Sequence, residues 1–568
     1  MKKRSKVNNR AVALVLMVAA LCLFHAPLRA ADEGESDRFD FYKMEFKGSR
    51  QDQLVYDLNG NDYKDLCMIY TRSDKRGEFW LRSFLQDKEQ GFTGESNDIR
   101  IPAGARTFDV GNLDGKPGAE LVIMTDSGIL VSGFADGNFG EFEKISDKRH
   151  LLFGTEGDRP RLHRTLWDLD TDGSDELIVP HTDGPLIYKY KKGKLELFQR
   201  INRPARVTYR VGSMGDIMVT DDVNQFLRFK NYEKRIAARY TVPDVFVEDF
   251  NSDGRPDIVT LVKNRLQVFL QKKDGTFTKK PAVSVEKSIL SPDEKKTGFA
   301  GEAMTFADLS GDGLHDIIML KWGTSEERTM IDRYIYFGRE GLEYPDKPDQ
   351  IIRSESATID FGIYDLNKDD RKDVVIPFFH FAPAQALKVM TENAIKIQFR
   401  IFLANSSGRF DQVEGKKFAR VDRRIQISYK IDLLGMIFDF KTLIEGKFNP
   451  LISFGHDFNG DGYNDLVADS GRDELEFYWG NKEVEFPRRP DMEIPLESSL
   501  EYNLADLNND GKCDIITYYE SEERTKKKRE LARKARQMSG TRKSLELQEE
   551  SALARIPEGT RIKVLISK

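Results

Sequence analysis

The sequence predicts an all-β chain: a single β-propeller of about eight (8–9) four-stranded blades, with Asp-rich loops and a helical insertion near the C-terminus. Three observations predict it. A ten-residue Asp-rich pattern occurs eight times, short β-branched and aromatic runs follow the copies, and the two ends of the chain each hold part of one last sheet. A four-stranded sheet repeated around a ring is a propeller blade.

From the start of the chain, Lys2, Lys3, Arg4, Lys6 and Arg10 precede an apolar run from Ala11 to Phe24, and Leu28-Arg29-Ala30 offers a cleavage site. This reads as a secretory signal peptide, residues 1–30. The run is short for a membrane span, which needs about 20 residues. Leu21 before Cys22 argues against a lipoprotein anchor. Residues 31–568 are then the exported propeller, with no membrane span left after cleavage. Loss of six positive charges (the five above and Arg29) takes the formal net charge from −6 to −12. That excludes general nucleic-acid binding, which needs a basic face. Only Cys67 and Cys513 remain, so this is no disulfide scaffold. Free thiols are expected, although the two would lie in neighbouring blades.

The clearest repeat is Asp457-Phe-Asn459-Gly-Asp461-Gly462-Tyr-Asn-Asp465-Leu466. Oxygen-bearing side chains stand at positions 1, 3, 5 and 9, with glycine at 6. The other copies begin at Asp57, Asn112, Asp168, Asp249, Asp308, Asp365 and Asp506. Positions 2 and 10 are apolar in every copy and position 9 is always acidic. Runs such as Ile258-Val-Thr-Leu261 and Leu266-Gln-Val-Phe269, then a turn such as Asp274-Gly-Thr-Phe277, give about four strands per repeat. The gap between Asp168 and Asp249 hides a further unit. Asp216–Thr220, Phe226–Phe229 and Ile236–Tyr240 mimic three later strands, and Gly212-Ser-Met-Gly215 replaces the loop. Hence nine units, and eight or nine blades.

The last repeat lacks a fourth strand. Ile515–Tyr519 and Ile562–Ile566 supply its second and third, and Phe39–Phe46 is spare at the other end. Pairing them closes the ring and removes exposed sheet edges. Two segments fall outside the blade pattern. An insertion at 382–447 contains Ala384–Ile395, of helical spacing. A charged insertion at 520–557, rich in Lys, Arg, Glu and Leu, favours helix. It reads as a solvated insertion or as a docking arm.

Three oxygen ligands two residues apart, a turn and a fourth ligand can close around one hard cation, which suits Ca²⁺ rather than zinc or copper. The full sets are Asp168, Asp170, Asp172 and Glu176; Asp249, Asn251, Asp253 and Asp257; Asp308, Ser310, Asp312 and Asp316; Asp457, Asn459, Asp461 and Asp465; and Asp506, Asn508, Asp510 and Asp514. In the sets Asp57, Asn59, Asn61, Asp65 and Asp365, Asn367, Asp369, Asp373, aspartate (Asp62, Asp370) replaces the glycine, and aspartate tolerates the left-handed conformation. The Asn112 loop is compromised: Lys116 puts an ammonium where an oxygen belongs, and Pro117 cannot adopt positive φ. No metal is expected there. An EF-hand would need flanking helices and a glutamate at 12; here position 10 opens a strand.

The motif, best seen at Asp249–Ile258, Asp308–Ile317, Asp457–Leu466 and Asp506–Ile515, resembles the FG-GAP/VCBS repeats of integrin α-subunit propellers and many exported bacterial propellers. The resemblance covers most of residues 40–520. It implies a calcium-stiffened propeller outside the cytoplasm, often for adhesion or protein binding. It names no ligand, and the chain has no Arg-Gly-Asp sequence.

Catalytic motifs are missing. The histidines are scattered, and there is no His-Glu-x-x-His helix, no Gly-x-Ser-x-Gly elbow and no phosphate-binding glycine loop. Trp80, Trp167, Trp322 and Trp479 read as core residues. The expected function is an exported, calcium-stabilised scaffold, periplasmic or at the cell surface, that binds an envelope or extracellular protein or a glycan. The alternative is a carbohydrate-active enzyme on the same scaffold, two close carboxylates on one face being its mark.

Overall fold

The computed structural model describes residues 38–568, except 73, 149, 152–158, 212–235, 298–299, 325–328, 356–360, 379–393, 415, 417, 431–450, 472, 498, 500, 528–529 and 531–558. The expected signal peptide lies outside the described residues. Eight sheets of four or more strands follow one another along the chain, antiparallel except where Arg161–Leu162 pairs in parallel with Ala105–Gly111. They are numbered here as blades 1–8 by their first strands: Ser49–Tyr56, Ala105–Gly111, Leu166–Trp167, Asp244–Glu248, Ala300–Ala307, Gly362–Tyr364, Ile452–His456 and Tyr502–Ala505. First strands of neighbouring blades touch each other, in blades 2 and 3 and in blades 6 and 7, so these strands line the axis.

Blade 8 is assembled from both ends of the chain. Its third strand, Gly559–Ser567, pairs with Phe39–Lys47 in antiparallel register from Phe39 opposite Ser567 to Lys47 opposite Gly559. The N-terminal segment is thus the outer strand of the last sheet, and the ring closes by backbone hydrogen bonds.

The apolar positions of the repeat explain the ring. Each of eight core clusters fills the gap between two neighbouring blades. The position-2 side chain enters the gap ahead: Leu58 packs between blades 1 and 2, Phe250 between 4 and 5, Leu507 between 8 and 1. The position-10 side chain enters the gap behind: Leu66 between blades 8 and 1, Ile258 between 3 and 4, Val374 between 5 and 6. All of these are fully or almost fully buried. One motif therefore cements its blade on both sides, and burial of each such side chain contributes about 1.5–3 kcal/mol.

The same clusters correct the count of nine units. Leu169, Ile178 and Ile187 of blade 3 pack directly on Ile258, Phe269 and Phe277 of blade 4. No blade stands between them. Ile236–Thr241, expected as a strand of a ninth unit, pairs instead with Arg206–Val211 as a two-stranded ribbon. The other two runs, Asp216–Thr220 and Phe226–Phe229, lie outside the described residues. β-branched composition marked a strand correctly but could not name its partner.

Polar side chains also cross the gaps. Gln350, at the start of the fourth strand of blade 5, donates Nε2–H to Phe410 O at 2.7 Å and accepts Phe410 N–H at Oε1 at 2.9 Å. Gln199 makes the same pair of bonds with Phe277, at 2.9 and 2.8 Å. Each amide mimics a strand partner for one buried turn residue. Replacing Gln350 by Ala leaves both backbone groups of Phe410 without a protein partner, and one such loss costs about 1–3 kcal/mol. Urea unfolding should show a drop of this size for Gln350→Ala, and little change for the exposed Gln90→Ala.

Of the expected insertion at 382–447, Ala394–Phe402 and Arg423–Lys430 are the third and fourth strands of blade 6. Ala394 and Ile395 are therefore strand, not helix; the remainder of Ala384–Ile395 lies outside the described residues. At the C-terminal insertion, Glu520 still belongs to the strand and pairs with Thr560. Helical turns occupy 522–527, and 531–558 lies outside the described residues. A short helix not anticipated from the sequence, Pro292–Thr297, starts in a capping box: Ser291 N–H donates to Glu294 Oε2 at 2.8 Å and Glu294 N–H to Ser291 Oγ at 3.3 Å. Cys67 and Cys513 are free and buried, in different clusters.

Candidate metal centres

Each Asp-rich loop joins the first strand of a blade to the second, at one end of the propeller. Two backbone kinks shape it. Position 4 has positive φ in all eight loops, at Gly60, Gly115, Thr171, Ser252, Gly311, Lys368, Gly460 and Asn509. Position 6 repeats it in seven, including Asp62 (φ 69°) and Asp370 (φ 67°), where aspartate does replace glycine in the left-handed region. In the Asn112 loop Pro117 blocks that kink and Gly118 takes it one residue later, at φ 101°.

The kinks fold the loop around its first side chain. Asp457 accepts the N–H groups of Gly460 and Gly462, both at 2.7 Å. Asp249 accepts those of Asp253 and Gly254, and Asp506 those of Asp510 and Gly511. Position 5 accepts the N–H of position 7, as in Asp461 with Tyr463 and Asp312 with Leu314, both at 2.9 Å. These are Asx turns.

Position 9 has a structural role besides any metal ligation. Asp465 is fully buried; its Oδ2 accepts Phe458 N–H at 2.8 Å and its Oδ1 accepts Gly480 N–H at 2.9 Å. Asp65, Asp257, Asp316, Asp373 and Asp514 repeat the arrangement with the position-2 amide and an amide at or just beyond the end of the third strand. Burial pushes the carboxyls of Asp65, Asp316, Asp373 and Asp465 up to about 7, and those of Asp257 and Asp514 up to about 6.

The loops also hold one another. Cys513 N–H donates to Asp457 O at 2.8 Å, Lys64 N–H to Leu507 O at 2.8 Å, Ala119 N–H to Leu58 O at 3.0 Å, Asp175 N–H to Asn112 O at 2.6 Å and Lys372 N–H to Leu309 O at 3.0 Å. Side chains complete the circuit: Gln271 donates to Leu169 O, Ser252 to Gly313 O and Asn464 to Asp365 O. The eight loops are thus linked in one closed circuit, the step from blade 3 to blade 4 running through Gln271, whose N–H Asp257 accepts.

Among the described residues, only Asp168, Asp170 and Glu176 bring three acidic oxygens within 4.8 Å of one another. In the other sets the carboxylates face backbone N–H groups and retain lone pairs. The donor chemistry of the Asp57, Asp249, Asp308, Asp365, Asp457 and Asp506 loops fits a hard cation; at position 3, Asn367 Oδ1 of the Asp365 loop and Asp170 Oδ1 of the Asp168 loop are buried without a hydrogen-bond partner. Position-7 basic residues fold back on single carboxylates, Arg371 on Asp369 at 2.5 Å and Arg255 on Asp253. In the Asn112 loop Lys116 Nζ lies 2.5 Å from Asp114 Oδ2.

His315 stacks on Phe250 at 4.8 Å, and His150 Nε2 lies 2.8 Å from Thr125 O. The four tryptophans are half-buried against the core clusters. Asp109, a buried carboxylate of blade 2, lies outside every repeat motif and carries no sequence signal. It accepts Thr165 N–H at 2.6 Å and Leu166 N–H at 2.9 Å and so ties blade 2 to blade 3.

Fold and loops together define an eight-bladed β-propeller whose blades open on Asx-rich cation-type loops. The family model for the FG-GAP-like repeat matches two stretches of this propeller, residues 249–319 and 457–517. No curated protein matches the chain significantly. Among solved structures it is similar to an Agrocybe aegerita lectin that recognises non-reducing terminal N-acetylglucosamine, at 16% identity over 78% of this chain and 91% of that one, TM-score 0.35. It is also similar to the V. cholerae biofilm matrix protein Bap1, at 11% identity over 91% and 88%, TM-score 0.29. No described helix is long and apolar enough to cross a membrane.

Proposed function

We propose that this chain is an exported, calcium-stabilised propeller that serves as a binding scaffold for a protein or a glycan at the cell envelope. The observation that carries the reading is the closed ring of loops. Six of them present a hard-oxygen set on a doubly kinked backbone, and hydrogen bonds link each to its neighbours directly or, between blades 3 and 4, through Gln271, so a cation in one stiffens the next. Such a ring makes a rigid rim around the axis. Aromatic side chains on the first strands, Tyr56, Trp167, Phe246 and Tyr364, retain partial exposure there. Amphipathic rings of this kind grip sugar faces and peptide side chains at little entropic cost. The buried acidic groups are engaged otherwise: the six position-9 aspartates and Asp109 each hold two backbone amides.

The test is capture by residues 31–568, from a glycan array and from envelope extract, in calcium and in EDTA, with a version lacking 521–557 alongside. Saturable capture in calcium, lost in EDTA, is the expected result. Turnover of a captured glycan would transfer the protein to the enzyme class. Capture that ignores calcium would separate binding from the loop ring.

A further inference from the structure

One of the five full sets does not fit a metal ion as the other four do. In blade 3, Lys189 reaches from the third strand, Leu186–Lys191, into the Asp168 loop. Its ammonium contacts Asp170 Oδ2 and lies 3.2 Å from Glu176 Oε1 and 3.5 Å from Asp172 Oδ2. Those are positions 3, 9 and 5, three of the four expected ligands. The side chain of Lys189 is only 16% exposed and Glu176 is buried, so the group sits inside the cage and not on its rim. A divalent cation and an ammonium cannot share that space, because each would face the other's charge at contact distance.

The reason lies at position 9. Where that residue is aspartate, its second oxygen accepts an amide at or just beyond the end of the third strand, as Asp465 does from Gly480. Glu176 is one methylene longer. Its Oε2 accepts Leu169 N–H at 2.8 Å, and its Oε1 turns to the ammonium. The other loop with glutamate at position 9 is the Asn112 loop, where Glu120 Oε2 accepts Leu113 N–H at 2.7 Å. That loop also carries its own ammonium, Lys116 on Asp114. Both glutamate loops hold a lysine, in adjacent blades.

We propose that the Asp168 loop is closed by the tethered ammonium of Lys189 in place of a metal ion, and that glutamate at position 9 marks the loops that supply their own cation. The inference rests on the reading that aspartate-type loops take calcium. Blades 2 and 3 then form a calcium-independent arc of an otherwise calcium-dependent ring.

Native mass spectrometry of residues 31–568 titrated with calcium counts the ions. Asp170→Asn should leave the wild-type count unchanged, Lys189→Met should add one ion, and Asp461→Asn, in the Asp457 loop, should remove one. Loss of an ion from Asp170→Asn without a gain in Lys189→Met would overturn the proposal. If Asp461→Asn also changes nothing because no ion binds at all, the calcium reading fails by itself. The plug is then judged by thermal unfolding in EDTA. Lys189→Met should lower the midpoint, and adding Asp170→Asn should restore part of the loss by removing one repelling carboxylate. A midpoint unmoved by Lys189→Met would refute the plug independently of calcium.

Discussion

Removing calcium should lower the thermal midpoint of the propeller by ~2–8 °C, and restoring it to about 1 mM should recover the loss. The size follows from linkage. Extracellular calcium modules bind with Kd of about 0.1–1 mM, so one site at about 1 mM adds about 0.4–1.4 kcal/mol. Eight loops less the two that carry their own ammonium leave six, or about 2.5–8.5 kcal/mol if they act independently. Unfolding entropy grows with chain length, at about 2 cal/mol/K per residue, which converts that sum into the stated shift for a chain of this size. A midpoint equal in EDTA and in calcium would remove the metal from the account of stability.

The pH dependence in EDTA gives a second reading from the same instrument. Burial raises the position-9 carboxyls to about 6–7 in the folded state, whereas they titrate near ~4 when unfolded. A raised folded value means that the folded state holds the proton more tightly. This contribution is full below about pH 4 and is lost as the pH climbs through 6 to 7. The chelated protein should therefore melt at a lower temperature at pH 8 than at pH 5.5. Calcium, which binds the ionised form, should flatten the slope. A chelated midpoint that rises over this range would contradict it.

The architecture was legible because the repeat encodes its own packing. Apolar residues at positions 2 and 10 announced burial, and they turn out to fill the gaps on either side of each blade. The spare strand at one end and the missing strand at the other announced blade 8. What the residues concealed was tertiary. The strand-like run at Ile236–Tyr240 gives no hint that Arg206–Val211 claims it, which is why the repeat pattern suggests a ninth unit. Position 4 is left-handed in all eight loops, yet only Gly60, Gly115, Gly311 and Gly460 advertise it. Thr171, Ser252, Lys368 and Asn509 are held there by the hydrogen bonds of the loop, which overrule propensity. Lys189 was invisible for a different reason. It lies a whole strand away from the loop it enters, and a lysine in Leu-Ile-Tyr-Lys-Tyr reads as an ordinary solvent-facing residue. The glutamate at position 9 was the available clue.

Asp465→Ala should destabilise the protein by about 2–6 kcal/mol even in EDTA, whereas Asp461→Ala in the same loop should cost less than about 1 kcal/mol there. Both are expected calcium ligands, so ligand loss alone would make them equivalent and, without metal, silent. They differ in what they hold. Asp461 is exposed and accepts one backbone amide, Tyr463 N–H, and the side-chain amide of Asn459, both of which water can replace. Asp465 is fully buried and joins Phe458 N–H, at the start of the loop, to Gly480 N–H, beyond the third strand. Deleting its carboxylate strands two donors where water does not reach, each costing about 1–3 kcal/mol. The loss also uncouples the loop from the sheet, and Cys513 N–H of the next blade hangs on Asp457 O in that loop. Urea unfolding of the two variants in EDTA separates the roles. Equal and small effects would reduce position 9 to a metal ligand. A large effect confined to Asp465→Ala would show that this acid builds the blade before any cation arrives, which explains why an acid persists at position 9 in the Asn112 loop, where Lys116 stands in place of a ligand oxygen.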